Sequence, residues 1–217
     1  MNTIVLSDLH IGSRYFISGP LKGFFAGLPE DTELVLNGDT VDRRRFRMSP
    51  LQKDALDLIR QESLRRRVVW VWGNHDWKYM LPDPAEITFV RNYSVGKRLF
   101  VSHGHGFDFI TAPIKPLIFL IRVLHDYRVD RGADHVHVAF AAKKYSGLYR
   151  VLRSHITASA VRFARKNGYE AVACGHTHYV EDAIVDGIRY INTGSWTEPP
   201  VTFLLVNDKE IVLQKIH

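Results

Sequence analysis

Acidic, amide and imidazole side chains recur in this chain in short clusters, each just after a run of apolar residues. Asp8 and His10 follow Ile4-Val5-Leu6. Gly38-Asp39-Thr40-Val41-Asp42 comes soon after Leu34-Val35-Leu36. Gly73-Asn74-His75-Asp76 follows the run from Val68 to Trp72. Ser102-His103-Gly104-His105 comes after Leu99-Phe100-Val101, and Gly175-His176-Thr177-His178 after Ala171-Val172-Ala173. Asp, Asn and His together suit borderline divalent ions such as manganese, iron or zinc. No cysteine takes part, which argues against a structural zinc site. One ion seldom takes so many protein ligands and stays open to substrate. Two ions sharing a bridging carboxylate would use them economically, and such a pair clamps the attacking and leaving oxygens of an in-line displacement at phosphorus. Glycine beside each cluster lets the backbone turn sharply and come close.

The apolar runs before these clusters read as buried strands. Between the first two, Leu21, Phe24, Phe25 and Leu28 recur at helical spacing. Ser49-Pro50-Leu51-Gln52 reads as a capping box with proline at the first helical position. Its helix carries Leu51, Ala55, Leu58 and Ile59 on one face and ends near Arg65-Arg66-Arg67. Two short strands are expected at residues 87–90 and 99–101. Asp186-Gly187 between two β-rich runs predicts a tight hairpin. A second hairpin is expected around Asn207-Asp208-Lys209. Strand–helix alternation followed by hairpins gives an α/β class with a mixed sheet system. In open α/β sheets ligands bind beyond the carboxyl ends of the strands, so the five clusters can meet. The stretch from about 106 to 167 is rich in helix formers and reads as a helical cap inserted into a single domain spanning 1–217.

Composition bounds the partners. The 217 residues carry a formal charge of +6, with a sequence pI near 9.5. A basic balance favours anionic partners: phosphates, nucleic acid or an anionic bilayer. A chain this long buries about 70% of its unfolded surface, enough for a core without staples. Cys174 is the sole cysteine, so no intramolecular disulfide can form, which fits a reducing compartment. The N-terminus does not read as a signal peptide. The longest apolar run, Leu117 to Ile121, is too short to cross a bilayer. The expectation is a cytoplasmic protein, at most peripheral on the inner membrane.

Taken in order, Asp8-x-His10, Gly38-Asp39-x-x-Asp42, Gly73-Asn74-His75-Asp76, a lone His103 and Gly175-His176-x-His178 resemble the calcineurin-like metallophosphoesterase superfamily. The resemblance implies a two-sheet αββα sandwich and two divalent ions, with Mn2+ first and iron or zinc as alternatives. By position, Asp8, His10 and His178 would hold one ion, Asn74, His103 and His176 the other, and Asp39 would bridge them. A hydroxide between the ions would attack phosphorus. His75 would steady the phosphate or protonate the leaving oxygen, and Asp42 would orient His75. Ile11 after His10, and Arg43-Arg44 after Asp42, depart from the protein Ser/Thr phosphatases. Length, opening and helical insert are similar instead to UDP-2,3-diacylglucosamine diphosphatase and its relatives, which act in lipid A synthesis. Gly106-Phe107-Asp108 is similar to a motif there, whereas His75 stands where the diphosphatase proper carries arginine.

Several residues allow two readings. Asn74 after a glycine is either a turn residue or a ligand. His105 either touches substrate or sits in its loop. Arg43 and Arg44, with Arg45 and Arg47 beside them, either clamp a second phosphate or form a solvated basic loop. Asp42 and Asp76 are common turn residues, here read as supports for their neighbours. The nearly all-apolar helix at 117–124 either packs on the core or forms a wall for acyl chains or a membrane edge, with Lys115, Arg122 and Arg128 nearby. The expected partner is a small phosphorylated substrate, including a lipid-linked nucleotide. A nuclease or a small-molecule phosphodiesterase or phosphatase is the alternative. Separate DNA-binding parts are not found, which weighs against nucleic acid. A scaffold that has lost catalysis ranks last, because all seven ligand positions are filled.

Overall fold

A computed structural model describes residues 2–42, 48–110, 127, 131 and 146–216. Arg43, Arg44, Arg45 and Arg47 lie outside the described residues, as does the apolar stretch 117–124.

The first sheet has six strands in the order β11-β10-β1-β2-β3-β4. These are β1 (Asn2–Leu6), β2 (Thr32–Asn37), β3 (Val68–Val71), β4 (Thr88–Val90), β10 (Thr202–Val206) and β11 (Ile211–Lys215). The second has five in the order β5-β6-β7-β9-β8: β5 (Tyr93–Val95), β6 (Leu99–Val101), β7 (Ala171–Cys174), β8 (Glu181–Val185) and β9 (Ile188–Asn192). Both sheets are mixed. β1, β2, β3 and β4 run parallel, and β10 joins β1 antiparallel. β6, β7 and β9 run parallel, flanked by antiparallel β5 and β8.

Period-two alternation in the strands builds the layers. Ile4 and Leu6, Leu34 and Leu36, and Val68 and Trp70 face α1 (Gly19–Ala26) and α2 (Pro50–Ser63). The intervening Val5, Val35, Val69 and Val71 meet Leu99, Val101, Ala171 and Ala173 between the sheets. Phe100, Val172 and Cys174 face the other way, onto Ala160, Val161 and Ala164 of α3 (Ser146–Lys166). The stack is therefore helix, sheet, sheet, helix: an αββα sandwich. Both faces of the central strands are covered, which explains their continuous apolar runs.

The capping box at Ser49 forms: its hydroxyl accepts from Gln52 N, and the Gln52 side chain accepts from Ser49 N. The core face of α2 differs from the spacing argument. Ala55, Leu56 and Ile59 are buried, while Leu51 is 65% exposed. Leu51 lies in the first turn, at the outer end of the helix. The helix stops at Ser63, close to the three arginines as expected. There Arg66 turns inward, pairing with Glu62 at 2.6 Å and donating to Pro29 O at 2.5 Å. β5 is an element that periodicity missed. Its three half-buried residues gain their strand identity from pairing with β6. Asp186 (φ 51°) and Gly187 (φ 79°) make the expected tight hairpin between β8 and β9. Cys174 is fully buried at the end of β7.

Candidate metal centre

Parallel strands bring their carboxyl ends to one edge, and the two sheets present those ends to each other. The loops after β1, β2, β3, β6 and β7 carry the expected residues. Backbone bonds run on past β1 and β2: Asp8 N donates to Gly38 O (3.1 Å), His10 N to Asp39 O (2.9 Å) and Ile11 N to Thr40 O (2.9 Å). A parallel bridge between Ile11 and Val41 extends this seam. Asp8 and Asp39 therefore sit at fixed register just past the ends of adjacent strands.

On one side of the site, Asp8 Oδ1 lies 3.2 Å from His178 Nε2 and 3.7 Å from His10 Nε2. The two imidazole Nε2 atoms are 3.1 Å apart. On the other side, Asp39 Oδ2 lies 3.2 Å from His103 Nε2, which is 3.3 Å from Asn74 Oδ1. Asp39 Oδ2 is also 4.0 Å from His10 Nε2, so Asp39 stands between the halves. Three sets each bring one ligand atom per residue within 4.8 Å of one another: Asp8, His10 and His178; Asp8, Asp39 and His103; and His10, Asp39 and His75. The third set places His75, expected to be no ligand, within ligating reach. His75 Nδ1 is 3.2 Å from Asp42 Oδ1, and its ring meets that of His10 edge-on at 4.8 Å.

His176 stands slightly apart. Its ring lies 5.4 Å from that of His103, and its backbone N donates to Asp8 Oδ2 at 3.0 Å. Its Nε2 is 3.0 Å from Asp108 Oδ2. His105, whose ring is 5.5 Å from that of His103 and 6.2 Å from that of Trp77, lies at the rim of the site. Beside His178 opens a cleft of about 300 Å³ lined by Tyr179, Val180, Ser195, Glu198, Pro199 and Pro200.

Three features shape this cluster. First, Asp8, His10, Asp39, His176 and His178 all have positive φ, between 48° and 67°. The left-handed region costs a non-glycine residue about 1–2 kcal/mol, and such strain gathers at functional sites. Spacing gave no sign of it. Second, glycine is required by close approach. A Cβ on Gly73 would overlap Asp39 Oδ1 and N, and one on Gly175 would overlap Asp8 Oδ2. Third, Asp76, fully buried, ties the β2 and β3 loops. Its Oδ2 accepts from Thr40 N (2.8 Å) and Trp70 Nε1 (3.0 Å), and its Oδ1 from Gly73 N (2.6 Å).

The electrostatics suit a cation. Burial alone would raise Asp8, but the His103 and His178 imidazoles override it and hold the carboxyl well below its ordinary value. Asp39 behaves likewise, with His103 the dominant counter-charge. Burial works against charge on His103, yet Asp39 and Asp8 outweigh it and lift the imidazole to about 10. His10 is pushed down, chiefly by burial. Asp76 is raised by burial and by the Asp39 carboxylate, against the pull of its N–H donors. Among the described residues, the ion partners of the buried Asp8 and Asp39 are all histidines. Buried carboxylates call for positive charge. His103 Nδ1, 3.0 Å from Asn37 O, donates to that carbonyl and leaves Nε2 as the acceptor in the neutral ring. Mixed oxygen and nitrogen donors, buried carboxylates and oriented imidazoles fit divalent ions of the manganese, iron or zinc kind.

Spacing does not point to Asp108, because its pairing with His176 spans 68 residues. Gly106-Phe107-Asp108 was visible as a motif, but no spacing rule joins it to His176.

Comparison with known proteins bears on the fold and the family. Among curated proteins none is significantly similar. Solved structures are similar across nearly the whole chain at low identity. A Vps29 double mutant from Entamoeba histolytica has a TM-score of 0.52 and 18% identity, covering 99% of this chain and 91% of that one. Vacuolar protein sorting 29 from Cryptosporidium parvum has a TM-score of 0.51 and 14% identity, covering 99% and 96%. Yfce, a phosphoesterase from E. coli, has a TM-score of 0.50 and 14% identity, covering 97% and 91%. At such identities these neighbours show the shared fold. Residues 1–180 match the calcineurin-like phosphoesterase family, and the chain belongs to that family.

Proposed function

We propose that this protein is a dinuclear metal-dependent hydrolase that cuts a phosphodiester or pyrophosphate bond, in the manner of UDP-2,3-diacylglucosamine diphosphatase. The observation that carries the reading is the meeting of both halves of the donor set on Asp39. Asp8, His10 and His178 would hold one ion, Asn74, His103 and His176 the other, with Asp39 shared. Two bound ions would polarise the phosphoryl oxygens and lower the pKa of water between them.

The chain's own residues do the rest. His75 sits beside the donor set and, by its Nδ1 contact with Asp42, is steered so that Nε2 faces the reacting phosphate. There it steadies the phosphoryl group or gives a proton to the leaving oxygen. Asp76 fixes the loops that carry Asp39 and His75. The cleft beside His178 takes the organic part of the substrate, and His105 contacts its anionic groups. The substrate is a small phosphorylated molecule, with a lipid-linked nucleotide as the candidate. No helix among the described residues is long and apolar enough to cross a membrane. The proposed location is the cytoplasm, with peripheral contact to the inner membrane.

The test loads the protein with manganese and follows UMP release from UDP-2,3-diacylglucosamine, with bis-p-nitrophenyl phosphate in parallel and EDTA as control. UMP release at about 10 per second or faster, an ordinary enzyme rate, supports the diphosphatase. Cleavage of the nitrophenyl diester alone keeps the hydrolase and removes the lipid substrate. No metal-dependent cleavage of either, with two ions bound, overturns the enzymatic reading.

A further inference from the structure

One buried carboxylate near the site has no part in the reaction outlined above. Asp108, only 6% exposed, places Oδ2 3.0 Å from His176 Nε2. A carboxylate accepts, so the imidazole donates from Nε2. The ring nitrogen left with a lone pair is then Nδ1.

The fold delivers Asp108 to this spot from the loop after β6, just beyond His103. His105–Phe107 forms a short 3-10 turn, entered through Gly104 at φ 107°. Phe107 N donates to Gly104 O (2.9 Å) and Asp108 N to His105 O (3.3 Å), closing the turn. Phe107 packs its ring on Phe163 of α3 at 5.7 Å. α3 therefore braces the turn that carries Asp108, although it supplies no ligand itself.

We propose that Asp108 is a positioning residue for one of the two ions. It fixes His176 as the Nε2–H tautomer, so that Nδ1 is the atom offered to the ion shared with Asn74 and His103. It also makes the imidazole a stronger donor. Carboxylates behind ligating histidines act in this way, and their loss weakens metal binding about 10–100-fold. The proposal rests on the two-ion reading of the site.

The experiment compares wild type, Asp108→Leu and Asp108→Asn. Leucine fills the space without an acceptor, and asparagine keeps an acceptor oxygen. Manganese binding is followed by calorimetry on metal-stripped protein. The His176 tautomer is read from its ring ¹⁵N shifts in the metal-free state. Expected are two ions on the wild type, one of them bound about 10–100-fold more weakly in Asp108→Leu, and recovery of most of that loss in Asp108→Asn. His176 should carry its proton on Nε2 in wild type and lose that preference in Asp108→Leu. A leucine variant that binds both ions within about twofold of wild type, or a wild-type His176 protonated on Nδ1, would overturn the proposal. Equal loss in both variants with the tautomer unchanged would mark a merely structural role and overturn it too. Fewer than two ions on the wild type would instead overturn the two-ion reading, and this proposal with it.

Discussion

Removing the Asp76 carboxylate should unfasten the site from beneath. Asp76 touches no expected ligand through its own carboxylate. It instead accepts from Thr40 N, Trp70 Nε1 and Gly73 N, all at 3.0 Å or less, with Val41 N at 3.5 Å as a weaker fourth. In Asp76→Ala three buried N–H groups lose their partner, at about 1–3 kcal/mol each. Relief of repulsion from Asp39, which raises Asp76 in the folded protein, offsets part of this. A net loss of about 3–5 kcal/mol follows from the lower part of that range. For a chain of this size it corresponds to a fall in Tm of about 6–20 °C. The assay is thermal unfolding followed by circular dichroism in EDTA, because bound metal would add its own stabilisation. Asp76→Asn keeps one acceptor oxygen and should fall between wild type and alanine. A Tm for Asp76→Ala within about 2 °C of wild type would refute the reasoning, since such a shift amounts to less than one orphaned donor.

Further outcomes follow from the same geometry. His75→Ala should retain both ions by elemental analysis while kcat falls about 10²–10⁴-fold, the usual worth of a positioned acid or base; unchanged turnover would remove its assigned role. Gly175→Ala should fold yet bind manganese poorly in a calorimetric titration, because the new Cβ displaces Asp8 Oδ2 and Ser7 Oγ; wild-type affinity would show that the loop yields freely. Cys174, fully buried beneath α3 and pushed up by burial to about 12, should resist iodoacetamide in the native protein from pH 7 to 9 and react once denatured. Rapid native alkylation would mean that β7 opens at its carboxyl end. In metal-free protein His103 is held charged up to about 10 by Asp39 and Asp8. An imidazole raised in this way contributes stability below about pH 6.5, its unfolded value, and that contribution is lost as pH rises towards 10. Denaturant midpoints of the metal-free protein should fall across this window, and a flat profile would contradict it.

Much of the site was legible before any fold was known. Types and order marked five metal-type clusters, and the resemblance to a known family picked Asp8, His10, Asp39, Asn74, His103, His176 and His178 out of them; the structure gathers Asp8, His10, Asp39, His103 and His178 into close sets, with Asn74 beside His103 and His176 slightly apart. The continuous apolar runs in β1, β2, β3, β6 and β7 announced strands covered on both faces, and local rules sufficed for the Ser49 cap and the Asp186-Gly187 turn. α2 was legible in its start and not in its buried face, since which residues are covered depends on the sheet it lands on. β5 was invisible because three half-buried residues become a strand only by pairing with β6. Tertiary structure alone decided the contacts that bridge distant segments: Asp108 on His176, Asp76 on Thr40, and the approach of Gly73 and Gly175 to the two carboxylates. It alone decided, too, that five of the seven expected ligands sit in left-handed backbone. Donor type and loop order are properties of the chain, whereas a hydrogen bond across 68 residues and a strained φ exist only once packing of both sheets and α3 holds the loops in place.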